Sequence, residues 1–134
     1  MKMSKVLLMA VALAATSAAN AEVVVIVNAK HPAASMTSAQ VADVFLGKDG
    51  SFSAFDLPES APQREQFYSK VAGKDTAQVK AIWARLVFTG KSQPPKEMGS
   101  SADAVKQVAG NDKGIAYVDK SAVDGSVKVV LTVQ

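Results

Sequence analysis

Arg64, the pair Thr37 and Ser38, and the pair Ser100 and Ser101 each stand where a helical pattern opens. A helix start leaves backbone N–H groups unpaired and carries the positive end of the macrodipole, so it attracts anions. Arg64 adds a fixed cation in an opening turn, with Phe67 and Val71 behind it on the apolar side. Hydroxyls at the other two starts can donate to the same kind of ligand. Each residue also has a plainer role. An Arg stem commonly covers apolar surface, here Tyr68 one turn later, and Ser and Thr are ordinary N-caps. Both readings stand for all five.

Other chemistry is thinner. The chain has no Cys, so a disulfide framework, a thiol nucleophile and a thiolate metal site are all out of reach. The single His31 precedes Pro32 and reads as a surface turn residue, and one imidazole cannot build a multi-His metal centre. Carboxylates are scattered singly, without a close pair whose titrations would be driven apart. General acid–base or nucleophilic catalysis has no recognisable base beside a partner. We therefore expect a non-enzyme without metal or cofactor. Trp83 and Phe88 offer rings for stacking on a ligand, but their helical spacing fits core packing better.

Lys2 and Lys5, the apolar run Leu7 to Ala15 and the small residues Ala19 and Ala21 form a secretory signal-peptide pattern, with cleavage expected after Ala21. The apolar run is shorter than the roughly 18 to 20 residues that cross a bilayer. Residues 22–134 are then one soluble domain, expected in the periplasm. Loss of Lys2 and Lys5 reduces the formal charge from +3 to +1. Without a dense basic face there is no electrostatic footprint for nucleic acid.

The β-branched run EVVVIV, Glu22 to Val27, predicts a strand buried on both faces. Thr37 with Gln40 has capping-box spacing and opens a short helix stopping at Gly47. Phe52 and Phe55 flank a short extended segment ending by Pro58. Ser60 with Gln63 repeats the capping-box spacing, with Pro62 in the first turn, and the helix it opens runs to about Val71. Asp75 with Gln78 opens a further helix in which Val79, Ile82, Trp83, Leu86 and Val87 share one face, which reads as the centre of the core. Pro94 and Pro95 make Lys91 to Gly99 an exposed loop without regular structure. A helix capped by Ser100 or Ser101 and the strands GIAYV and VKVVLTV complete an α/β order.

Several of these segments together resemble a known family. Val25 to Asn28, then SMTSAQVADVFLGK, REQFYSKVAGK, IWARLVFTGKSQPP and GIAYV, in that order, are similar to the substrate-binding proteins of phosphate ABC transporters. The resemblance implies an α/β fold: a three-layer single lobe of a type 2 periplasmic-binding protein, with a mixed sheet and flanking helices. It also implies phosphate or a related oxyanion as ligand and a membrane transporter or sensor as partner. Two departures qualify it. Family members have two lobes around a cleft, and this chain resembles the second alone. Their helix-opening Arg is closely followed by a Ser-Gly-Thr turn that grips phosphate, whereas Arg64 is followed by Glu65, Gln66 and Phe67. A dehydrated phosphate needs many donors at once, and Glu65 repels an anion at that helix start. The expected binding is weak, with Arg64 supplying charge and Thr37, Ser38, Ser100 and Ser101 supplying donors. The alternative is a non-catalytic interaction or assembly module that kept the lobe and lost the ligand, with homodimerisation or membrane-protein docking in its place.

Overall fold

The computed structural model describes residues 22–134; the signal-peptide assignment falls outside them. The β-branched run forms β1 (Val23–Asn28), buried at every position. It lies inside a five-stranded sheet of order β3-β2-β4-β1-β5. The other strands are β2 (Ser53–Asp56), β3 (Lys96–Glu97), β4 (Gly114–Asp119) and β5 (Val127–Val133). β1 pairs antiparallel with β4 and β5, while β2 runs parallel to β3 and β4. The sheet is therefore mixed, as expected.

Among the described residues four α-helices accompany it: α1 (Ser38–Phe45), α2 (Pro62–Phe67), α3 (Thr76–Phe88) and α4 (Ser101–Ala109). The side-chain alternation of β4 separates them into two layers. Tyr117 points to the side where Phe45 of α1 and Phe67 of α2 pack; Phe67 stacks on Tyr117 with ring centroids 4.2 Å apart. Gly114 and Ala116 face the other side, under α4. A Cβ at Gly114 would come within 2.9 Å of the Val108 backbone, so glycine lets α4 settle on the sheet. Buried Asn28 fixes its far end, donating from Nδ2 to the carbonyls of Val108 and Ala109 at 2.9 and 3.0 Å.

Capping boxes form at Thr37 with Gln40 and at Asp75 with Gln78, and Ser100 caps α4. Ser60 with Gln63 does not form one. Ala61 is the N-cap of α2 without a side-chain bond, and Pro62 supplies the fixed first turn instead. After Phe67 the helix widens into a π turn, Tyr68–Ala72, before ending at Gly73.

Three further expectations need correction. The Trp83 helix is not the centre of the core: α3 buries only Val79 and Trp83, and the central residues belong to the sheet, α1, α2 and α4. Val87 is 51% exposed and Phe88 is 91% exposed, so neither is a core residue. Helical spacing gathers apolar side chains on one face but does not say that another element covers it. Finally, the Lys91 to Gly99 segment contains β3, because Lys96 and Glu97 can pair with Phe55 and Asp56 once past the prolines.

Candidate functional site

The otherwise apolar tetrapeptide Ala54-Phe55-Asp56-Leu57 carries one carboxylate into the interior at the end of β2. Asp56 is buried and accepts from three donors: the hydroxyl of Tyr68 at 2.7 Å, the hydroxyl of Tyr117, and the Leu57 N–H at 2.9 Å. Burial, and then the neighbouring carboxylate, push both phenols well above the ordinary tyrosine range. The tyrosines therefore stay neutral donors. Held in this way, Asp56 joins β2 to β4 and to the π turn.

Arg64 sits beside this cluster and is only 8% exposed, so it is not a solvated surface residue. Its Nη1 donates to the Leu57 carbonyl at 2.8 Å and lies 3.5 Å from carboxylate oxygens of Asp56 and Glu97. The guanidinium also stands 5.7 Å from the Tyr68 ring centre, a cation–π distance. The expected stacking on Tyr68 is present, but inside the fold. Charge alone reads as surface in a sequence; its burial follows from Asp56, whose place between Phe55 and Leu57 was the available signal.

The other candidates lie apart from Arg64. The carboxyl ends of β2 and β3 lead directly into α2 and α4, whose first residues border a depression of 340 Å³. It is lined by Leu57, Ser60, Gln63, Gly99, Ser100 and Ser101, with three neighbouring apolar residues and no charged side chain. The Ser100 hydroxyl accepts from the Asp103 N–H at 3.2 Å, and that of Ser101 accepts from the Asp119 N–H at 3.0 Å. Acting as acceptors, both keep their own protons to donate. Asp119 is held below the ordinary carboxylate range, first by the Ser121 backbone N–H. Thr37 and Ser38 are not brought to this depression. They open α1, tied by the Met36 N–H to the Val130 carbonyl of edge strand β5. Ser60 was read from the sequence as a helix cap and not as a donor of the site, since only the chain reversal after β2 brings it beside Ser100.

A larger groove of 610 Å³ lies between α3 and the Pro94–Glu97 segment, with Asp56, Arg64, Glu97 and Lys80, the last paired with Glu59 at 3.0 Å, as its charged lining. Its walls are mainly apolar and include Trp83, Val87 and Phe88.

No protein-family model matches the sequence, and no curated protein matches it. Solved structures do. A candidate phosphate ABC transporter substrate-binding protein from Clostridium perfringens, with phosphate bound, is similar with a TM-score of 0.67 at 20% identity, over 82% of this chain and 44% of that one. An ABC-type phosphate transport receptor from Vibrio cholerae gives 0.63 at 16% identity, over 82% of this chain and 45% of the receptor. A candidate phosphate-binding protein from Planctomyces limnophilus gives 0.60 at 15% identity, over 82% of this chain and 40% of that protein. The chain thus spans less than half the length of each. The fold is shared with part of each of these proteins, in keeping with a single lobe.

Proposed function

We propose that this protein is a secreted, periplasmic solute-binding-like module, made with a signal peptide over residues 1–21, that binds phosphate or a related oxyanion weakly, in or beside ABC-type phosphate uptake. One observation carries the reading: two helix starts, each following the carboxyl end of a parallel strand, converge on one uncharged, hydroxyl-bearing depression. Ligands of open α/β sheets gather at such strand ends where the strand order reverses. Here the chain passes from β2 to β3 on one side and returns through α4 to β4 on the other.

In this reading Ser100 and Ser101 donate to the anion together with the α4 N–H groups. Arg64 lends charge from behind Leu57, reduced by Asp56 and Glu97. Thr37 and Ser38 cap α1 and lie outside the donor set. A membrane transporter or sensor is the fitting partner. Weak affinity follows from the donor count: Pro62 has no N–H to offer at the start of α2, and Glu65 in that first turn opposes an anion.

Thermal melts with and without millimolar phosphate, and with sulfate, test the proposal. A ligand at 100 times its Kd stabilises by about 2.7 kcal/mol, which is a shift of several degrees or more in a domain of this size. Ser100→Gly, which removes the hydroxyl at a capping cost of only a few tenths of a kcal/mol, is expected to shrink that shift. An unchanged Tm with either anion removes direct oxyanion binding.

A further inference from the structure

The 610 Å³ groove shares no lining residue with the depression at the helix starts. Its size falls within the range of small-molecule clefts, which are typically apolar with a few convergent polar groups. Val79, Trp83, Ala84, Val87, Phe88 and Pro95 supply the apolar wall. Lining the same groove is a cation poorly supplied with acceptors. A guanidinium carries five N–H donors, yet among the described residues that of Arg64 makes one hydrogen bond, to the Leu57 carbonyl. Its Nε is buried without any partner. The nearby Asp56 is already satisfied by Tyr68, Tyr117 and the Leu57 N–H, and its oxygen stays 3.5 Å from Nη1. Glu97 is equally distant, and its side chain is 58% exposed on a strand of two residues.

We propose that this groove binds small carboxylates that carry an apolar body. The ligand's carboxylate takes the place of Glu97 against Arg64, where the planar guanidinium fork matches a planar two-oxygen acceptor. The body lies along Trp83 and covers Val87 and Phe88, whose exposure is otherwise costly. A head with a single negative charge suits the site better than a phosphate dianion, because Asp56 remains beside it. Glu97 acts as an internal competitor that occupies the cation when the groove is empty.

The chain's only Trp lines the groove, so its emission reports directly on binding. The full protein is titrated with sodium octanoate and, separately, with 1-octanol at constant ionic strength. Octanoate is expected to shift Trp83 emission saturably, and octanol to bind about tenfold more weakly or worse, since it lacks the charge-assisted pairing. Glu97→Gln, at an exposed position, is expected to tighten octanoate several-fold, and Phe88→Ser to weaken it. Millimolar phosphate added beforehand is expected to leave the octanoate curve in place. Failure of oxyanion binding in the melts does not affect this result, because the two sites are read by different probes. The proposal is overturned if octanoate gives no saturable change, if octanol binds equally well, if Glu97→Gln leaves the affinity unchanged, or if phosphate abolishes the signal.

Discussion

Asp56 shows how much one side chain can organise. A carboxylate buried next to an Arg costs desolvation that their attraction repays only when the remaining lone pairs are satisfied, and two tyrosine hydroxyls and a backbone N–H do so here. These are the only tyrosines in the chain, which makes the cluster visible in solution. Their phenols are raised in the folded protein above the ordinary value of 10.0. Stability from this source is therefore fully present below pH 10 and is lost as pH rises beyond it, because the unfolded chain releases phenolic protons that the folded one retains. Alkaline titration is expected to give no tyrosinate absorbance while the circular dichroism is native. Both signals then change together as the protein unfolds. A tyrosinate step with native dichroism would show that the cluster is looser than described.

Among the elements, α3 separates what periodicity can tell from what it cannot. Its capping box, its end near Gly90 and its apolar face were all legible, because each depends on residues within a turn or two. Strands β1, β4 and β5 were legible for the same reason: β-branched runs specify extension locally, whereas the two residues of β3 are extended only through their pairing with β2. Which face of α3 meets the rest of the fold depends on residues distant in sequence. Trp83 donates its indole N–H to the Phe45 carbonyl at 2.9 Å, and Gly47 lies so close that a Cβ there would come within 3.1 Å of the indole and 2.6 Å of Leu86. Those contacts turn Val87 and Phe88 away from the core. Trp83→Phe is accordingly expected to cost about 1 kcal/mol for the lost hydrogen bond, while Phe88→Ser stays within about 0.5 kcal/mol of wild type, both measured by urea unfolding. Arg64 was legible as a cation at a helix start, but its burial was not, since it depends on Asp56 arriving from another element.

For the molecule as a whole, the distribution of buried side chains predicts unequal stability. β1 and β4 are buried almost throughout and α4 is held on them by Ala104, Val105 and Val108, whereas α3 is anchored at Val79 and Trp83. Amide protons of β1 and β4 are expected to exchange only through global unfolding, and those of α3 by local opening at lower free energy. Hydrogen exchange followed by mass spectrometry distinguishes the two; equal protection across α3 and β1 would contradict this division. Placement of β1 has a further consequence for biosynthesis. Its partners are residues 115–119 and 127–133, so a chain emerging N-terminus first presents VVVIV with nothing to pair until β4 is made, and with one edge open until β5 follows. Such a run, rich in β-branched residues and free of charge, is prone to pair with copies of itself. Synthesis thus imposes a waiting period in which β1 must be shielded by something other than its own fold, and removing β5 would leave one edge of β1 permanently open.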